Sequence, residues 1–529
     1  MQRRFIAGWS DRDLDVTDRL EAASIRVLEV HESAGFLGGV IASLSIPWGF
    51  SKGDDDIGGY HLVWARDLAE TATGFLAAGK TDAAVRTLEY LRATQELDGH
   101  WPQNMWLDGS PHWTGIQMDE TALPILVVGL AVRSGANIDV SEYWPMVQRA
   151  AAFIVANGPV SPEDRWEEDP GYSPFTVAAE ISALLAAARI ADVVQQHEAA
   201  ALLREVADAW NAQIERWLYV RNTELADRVG VDGYYMRISS LDTDAPEDGW
   251  IPIKNRPPGQ SSAPAAEVVS PDALALVRFG LRSPDDPRIL STVKVIDELL
   301  KVDLPQGPAW YRYNGDGYGE HDDGSPFDGT GVGRPWPLLT GERAHYELAA
   351  GNFDEAQRLV IMLRSSAGDS LLLPEQLWDG PDLADRELRF GGPTGSAMPL
   401  CWAHAEYLRL KRSLRDKRVF DRPEDAFDRY VRADTPARST VWSRTQKCRT
   451  IAPHTTLRIV APEPFTVRWS TDGWSTSHDV KGIDPGLGVY TAELGTARLP
   501  EGTIAAFTFQ FADRWEGTNY EVAIGGAGS

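Results

Sequence analysis

The chain has 529 residues, 43% of them apolar, with a formal net charge of −26 and a pI near 4.8. That length is too great for one small core and divides into one large domain plus a small one, or three ordinary ones. A surface this acidic repels phosphate backbones and anionic membranes, so neither nucleic acid nor membrane is expected as a partner; solubility alone is the simpler origin of the charge.

The opening "MQRRFIAGWSDRDLD" has basic residues but no apolar core of signal-peptide length, and no segment reaches 18 uninterrupted apolar residues. The expected location is cytoplasmic for the chain as it stands, and secreted if it is an N-terminally truncated form. Residues 1–40 read as a linker and a helix. Within them, "FIAGWSDRDLDVTDRLEAASIRVLEVHE" carries an apolar side suited to facing a further domain.

From about residue 17 to 413 the pattern is helical, in pairs. "RDLAETATGFLAAG" places Leu68, Ala72, Phe75 and Leu76 on one face, Gly79 ends it, and "TDAAVRTLEYLRATQ" follows at once. The plan recurs with "ETALPILVVGLAVRSG" before "SEYWPMVQRAAAFIVANG", then "TVAAEISALLAAARIADVV" before "HEAAALLREVADAWNAQIERWL". "SPDALALVRFG" precedes "ILSTVKVIDELL", "RPWPLLTGERAHYELAAG" precedes "FDEAQRLVIMLRSS", and "SAMPLCWAHAEYLRLKRS" closes the series over 41–415. No short sequence repeat accompanies the structural one. The long loops precede the first helix of each pair, so a ring of pairs would gather them at one end; their length and their Trp, Tyr, Arg and acidic residues mark them as functional. Residues 416–435 form a connector. From 436 to 529 the texture alternates with turns between, as in "TTLRIVAPEPFTVRWSTDGWS" and "TIAAFTFQFADRWEGTNYEVAIG", which predicts a small β-sandwich.

Two cysteines, Cys401 and Cys448, make neither a disulfide framework nor a metal site; Cys401 reads as a buried helical thiol. Among 19 tryptophans, Trp48, Trp64, Trp101, Trp106, Trp113, Trp166, Trp310 and Trp336 fall in loop-like contexts. Core packing explains any one of them, but as a set beside carboxylates they favour a carbohydrate site, because indole stacks on the apolar face of a sugar ring.

Cleaving a glycosidic bond takes two carboxyl groups, one protonating the leaving oxygen and the other activating water or attacking the anomeric carbon. The acid must stay protonated, which a neighbouring carboxylate and burial against an indole would both favour. In "DRWEEDPGYSPFT" Glu167 has Trp166 before it and Glu168 after it; an acidic approach to a helix N-terminus is the equal alternative. In "LLLPEQLWDG" Glu375 shares the phase of the repeat with Glu167, as do Arg66 and Asp67 in the first loop. The last two could bond to the 4- and 6-hydroxyls of a terminal sugar or could simply cap a helix.

The ordered run "GGYHLVWARDL", a tryptophan with "QMDE" close behind, "RWEE" before "GYSPFT", "GPAWYRYNGDGYGE", "RPWPLLTGER", "LPEQLWD" and "GSAMPLCWAHAEYLRL" resembles glycoside hydrolase family 15, the glucoamylases and glucodextranases, and looks closest to the bacterial branch. The match covers roughly residues 20–413. The resemblance implies an (α/α)6 barrel and an inverting, exo-acting α-glucosidase, with Glu167 as general acid and Glu375 as base. It further implies that Arg66 and Asp67 grip the non-reducing glucose, that Tyr60 and Trp64 flank it and the base, and that Trp113 packs near the acid beside Trp166. Glu168 would hold the sugar beyond the cut, Arg312 would bind substrate with Arg334 as its rival in the same loop, and Trp402 would line a subsite. Family relatives usually carry a large β-sandwich ahead of the barrel, and often a glycine where this chain has Pro170.

The expected substrate is an α-1,4-glucan, with α-1,6 chains second and trehalose third. No cofactor is expected beyond a structural calcium ion, and the chain is expected to be a monomer. The β tail resembles a starch-binding module, for which Trp469, Trp474 or Trp515 could form a platform, although a structural domain docked on the barrel is the blander reading. Two other classes of function are open to a helical barrel. A non-catalytic glucan-binding protein would have lost Glu167 or Glu375, and an isoprenoid enzyme on a helical barrel would want Asp-rich diphosphate sites.

Overall fold

The computed structural model describes residues 19–49, 59–239, 246–512 and 514–525. Helices dominate up to residue 416 and strands follow from 439. In chain order the barrel helices are α1 (Arg19–His31), α2 (Ala65–Ala77), α3 (Thr81–Thr94), α4 (Met118–Arg133), α5 (Val140–Asn157), α6 (Pro174–Val193), α7 (His197–Asn211), α8 (Ala275–Arg278, entered by a 3-10 turn over Pro271–Leu274), α9 (Pro287–Leu300), α10 (Pro337–Ala349), α11 (Phe353–Ser366) and α12 (Cys401–Asp416).

Inner and outer helices differ in what they bury. α2 buries every residue, and α6 buries nearly all of its length, so neither shows a polar face. α3, α7 and α11 are amphipathic, with one buried stripe each. Each inner helix packs on the next around a closed ring, α2 on α4, α4 on α6, α6 on α8, α8 on α10, α10 on α12 and α12 back on α2. The sequence expectation of an (α/α)6 barrel therefore holds, and the first helix of each predicted pair is the inner one. α6 is long and apolar enough to cross a membrane, yet 94% of its apolar window is buried inside this barrel. One set of charges inside the ring is paired: Arg278 and Arg409 bind Glu406, and His345 Nδ1 lies 2.7 Å from that carboxylate.

The N-terminal helix corrects one expectation. Leu20, Val27 and Leu28 of α1 are buried against α12, and Ser24 Oγ meets His404 Nδ1 at 2.8 Å. Its apolar stripe serves the barrel's outer layer, where the sequence predicts a face turned to a further domain. The linker expected over residues 1–18 lies outside the described residues.

The tail is a two-sheet sandwich. Its strands are β1 (Ser439–Trp442), β2 (Thr450–Ile451), β3 (Thr456–Ala461), β4 (Thr466–Ser470), β5 (His478–Lys481), β6 (Tyr490–Leu494), β7 (Ile504–Gln510) and β8 (Tyr520–Ile524). One sheet has the order β2-β8-β7-β4-β5 and the other β6-β3-β1. Trp442, Phe465, Phe507, Phe509 and Val522 fill the space between them. The sandwich docks on outer helices: Arg458 reaches Glu205, and Trp210 Nε1 donates to Gln446 Oε1 at 3.1 Å. Just ahead of β1, Arg429 binds Asp208. Trp474 and Trp515 are exposed, whereas Trp469 packs partly into the core edge.

Candidate active site

The N-termini of the inner helices point their loops to one end, as the phase of the long loops predicts. Trp64 and Trp336 are the extended residues just before α2 and α10, Arg66 and Asp67 lie in the first turn of α2, Asp119 and Glu120 in that of α4, and Trp402 in that of α12. The positive ends of these helices offset the carboxylates gathered above them. There a cavity of about 680 Å³ opens, and every site residue expected from the sequence lines it: Tyr60, Trp64, Arg66, Asp67, Trp113, Trp166, Glu167, Glu168, Arg312, Glu375 and Trp402.

Glu375 sits in an extended segment stitched to the loop before α12. Its N–H donates to Ala397 O at 2.8 Å, Gln376 N–H donates to Ser396 Oγ at 3.1 Å, and Leu373 N–H donates to His404 Nε2 at 2.9 Å. The carboxylate accepts from Tyr60 Oη at 2.5 Å, and Tyr60 Oη lies 2.8 Å from Tyr318 Oη. Burial pushes Glu375 up to about 7 against the opposing pull of the Tyr60 bond. Burial and the nearby Glu375 hold the Tyr60 phenol well above its ordinary value, so it remains a donor.

Glu167 occupies a different setting. It stands on a tight turn at φ +64°, and its side chain is 27% exposed. Gln103 Nε2 donates to it at 2.7 Å, and Arg66 Nη2 lies 3.6 Å away. Arg66 is itself ringed by Asp67, Asp119, Glu120 and Gln117. Burial pushes Asp67 up to about 6, against the pull of Arg66.

The paired-glutamate account of the acid needs correction. Glu168 does not stand as a bare charge beside Glu167. It is buried, accepts from Arg312 at 2.9 Å, Arg237 at 3.0 Å and Tyr313 Oη at 2.5 Å, and is pushed up to about 7 by its own burial. The two side chains therefore meet separate partners. The Arg312–Arg334 rivalry also resolves: Arg312 lines the cavity, while Arg334 binds Asp379, Asp322 and the carbonyl of Glu320.

Aromatic rings wall the cavity. Trp166 lies 5.4 Å from Trp336 and 5.9 Å from Trp402, and Trp48 lies 5.4 Å from Tyr318. The indole N–H groups of Trp64, Trp166, Trp336 and Trp402 are buried without a hydrogen-bond acceptor among the described residues. Trp113 stands at the rim, 51% exposed. Sequence reasoning missed Gln103, Tyr318 and Lys254. The first two lie in loops already singled out, but nothing in their local sequence names the carboxylate they serve. Lys254 Nζ donates to the backbone oxygen of Glu167 at 2.5 Å. Among the described residues no cluster of His, Cys, Asp and Glu is arranged to hold a metal ion. Cys401 is a buried thiol, as expected.

Fold and cavity together define a class: a closed helical barrel with an acidic, tryptophan-walled pocket at the loop end. The profile of the family "Glycosyl hydrolases family 15" matches residues 96–412, and the chain belongs to that family. It is 43% identical over 408 residues to a glucoamylase of Clostridium sp. (strain G0005), an alignment covering 77% of this chain and 55% of the relative. A solved bacterial glucoamylase complexed with acarbose superposes with a TM-score of 0.71 at 43% identity, covering 78% of this chain and 57% of that one. An uncharacterized glycosyl hydrolase of Methanocaldococcus jannaschii is 23% identical, over 66% of this chain and 50% of its own length. The chain thus spans about half the length of the relatives it matches.

Proposed function

We propose that the protein is an inverting, exo-acting α-glucoside hydrolase that releases β-D-glucose from the non-reducing ends of α-1,4-glucans. The observation that carries this reading is the presence, in one tryptophan-walled cavity, of two carboxyl groups with unlike settings, Glu375 buried on a phenol and Glu167 open to a ligand. In this scheme Glu375 takes a proton from a water that attacks the anomeric carbon, while Glu167 gives a proton to the departing glycosidic oxygen. The raised affinity of Glu375 for a proton makes it a better base than an ordinary carboxylate. Arg66 and Asp67 hold the 4- and 6-hydroxyls of the terminal glucose, which makes the attack exo. Tyr60 and Trp64 flank that glucose and the base, Trp113 and Trp166 frame the acid, and Arg312, Glu168 and Trp402 bind the sugar beyond the cut. The two carboxyl groups supply the chemistry without a cofactor, and one chain completes the site, so it works as a monomer.

The glucoamylase relatedness supports glucose-releasing chemistry on α-1,4 links. Proton NMR of the first product, on a panel of maltose, isomaltose, trehalose, starch and dextran, tests it. β-Glucose from maltose and starch is the expected result. α-Glucose appearing before mutarotation overturns the inverting scheme, and preference for isomaltose or trehalose moves the linkage.

A further inference from the structure

Glu167 stands in a backbone conformation that residues with a side chain rarely adopt, at φ +64°. Something must hold that turn, and the side chain of Glu167 does little of it, being open and bonded to Gln103. The turn is organised by Asp164. Its Oδ1 accepts the N–H groups of Trp166 at 3.2 Å and Glu168 at 3.0 Å, and its backbone oxygen accepts Glu167 N–H at 2.9 Å. A carboxylate used in this way can serve as a scaffold only if it is anchored itself.

The anchor is Arg237, in the extended stretch that follows the short strand Gly233–Tyr235. Its side chain is fully buried and does not line the cavity. Nη2 reaches Asp164 Oδ2 at 2.7 Å and Glu168 Oε2 at 3.0 Å, and Nη1 reaches Asp169 Oδ2 at 2.6 Å. These three carboxylates bracket Glu167 on both sides. The guanidinium lies 4.0 Å from the centre of the Tyr313 ring, and the Arg237 N–H donates to Val268 O at 2.8 Å, so the anchor has supports outside the loop it holds; two residues on, Ser239 pairs with Tyr172 at the far end of that loop. Glu168 has a second cation in Arg312, but Arg237 makes the ion pairs that hold Asp164 and Asp169. A planar fork with several fixed donors suits this three-way grip, which an ammonium cannot reproduce.

We propose that Arg237 is a positioning residue for the general acid: it acts through Asp164, Glu168 and Asp169 to set where the Glu167 carboxyl points, without touching substrate. This rests on the assignment of Glu167 as acid under the proposed function. It predicts a defect confined to proton delivery. Maltose needs its leaving oxygen protonated, whereas α-D-glucosyl fluoride releases fluoride unaided; with KM for maltose reading the sugar that Glu168 holds beyond the cut, the ratio of the two kcat values isolates the acid.

The experiment compares Arg237→Lys with the parent protein on both substrates, with a melting curve for each. The expected result is a kcat on maltose lower by roughly 100-fold with the fluoride rate kept within about 3-fold, as befits the loss of general-acid assistance. The alkaline limb of the maltose pH profile should move as well. An equal fall on both substrates marks a merely structural role and overturns the proposal, as does no fall on either. Should Arg237→Lys fail to fold, Asp169→Asn removes one arm of the grip while leaving the others. It should lower the maltose-to-fluoride ratio by roughly 5-fold, a partial loss of the same assistance, and an unchanged ratio there overturns the proposal. A parent protein that cleaves neither substrate would refute the function itself, a result distinguishable from all of these.

Discussion

The two carboxyl groups proposed as acid and base are held by different physics. The segment carrying Glu375 is sewn to its neighbours by backbone hydrogen bonds, with a neutral histidine and a phenol behind it. The turn carrying Glu167 is held by side-chain charge: Asp164, Glu168 and Asp169 on Arg237, and Glu168 again on Arg312. Backbone stitching survives most single substitutions, because each bond is one of many and any residue can make it. An ionic clamp concentrates its effect in one guanidinium, whose removal leaves buried carboxylates uncompensated. Precision at the base is spread over many bonds, and precision at the acid depends on a few.

The largest break in this comparison comes from the carboxyls themselves. Glu375→Ala and Glu167→Gln should each lower kcat on maltose by about 10³-fold or more. They should then part on α-D-glucosyl fluoride, where Glu167→Gln keeps a measurable rate. Glu375→Ala should lose it until azide, placed in the vacated space, yields the β-azide. Equal loss of fluoride hydrolysis in both would mean that acid and base are wrongly assigned.

Next comes the base's phenol. Tyr60→Phe removes a donor that favours the charged form of Glu375. The expected fall in kcat is about 10-fold, within the range for a perturbed acid–base partner. Glu375 must be ionised to act, so activity is lost as pH falls through its pKa. With that pKa pushed up to about 7, the acid limb should lie above the ordinary carboxylate range, and it should move further up in Tyr60→Phe. A limb that stays in place on full pH–rate profiles would detach Tyr60 from the base.

Acid should then loosen the base's side of the site. Burial holds His404 down to about 3 and His31 to about 4, against an unfolded value near 6.5. Between these values the unfolded chain binds protons that the folded chain refuses, so stability present at neutral pH is lost as pH falls below 6.5. By pH 5 each histidine should remove about 2 kcal/mol. His404 can take up a proton only when that region opens and the Leu373 N–H bond breaks, so the protection of that amide, corrected for its intrinsic exchange rate, should fall as pH falls. Burial pushes Glu375 and Glu168 the other way, up to about 7, so they gain stability over the same window; the histidine contribution is the difference between the parent and His31→Gln, and a parent that loses no more melting temperature than that variant from pH 7 to 5 would contradict the buried neutral pair.

The smallest effect on catalysis should come from the sandwich. None of the bonds described around Glu167 or Glu375 is made by it. Removing residues 436–529 should lower the melting temperature, because Trp210 and Glu205 lose their partners Gln446 and Arg458. Maltose turnover per folded molecule should change little. Equal loss of the maltose and fluoride rates would show that the sandwich supports the whole site. Weaker attachment to granular starch would give the exposed Trp474 and Trp515 a binding role.

Much of the site was legible because its residues sit at fixed phases of the helical repeat. Arg66 and Asp67, the glutamates after Trp166, and Trp402 each fall just before or just inside an inner helix, and the ring brings those helix ends together. Gln103 and Tyr318 escaped notice because an amide or a phenol in a loop has no pattern of its own, and its role exists only once a carboxylate lies beside it. Arg237 lies in "YYMRIS", where a lone charge in an apolar run is an oddity without a meaning until its three acidic partners arrive. The like-charge explanation of "WEED" failed for the same reason: adjacency in sequence said nothing of where two side chains on a strained turn would point.

By itself the sequence determined the barrel, the tryptophan-rich loop end and the two glutamates that share its cavity. Helical periodicity and its phase are local properties, and a run that is apolar all round can only be an inner helix. The tertiary structure alone decided which carboxylate stays open and which is buried, which arginine serves the cavity, and that α1 completes the barrel. Those outcomes depend on burial and on charges far apart in the chain: Arg237 and Asp164 are separated by 73 residues, and Tyr60 and Glu375 by 315. No window along the sequence contains both partners.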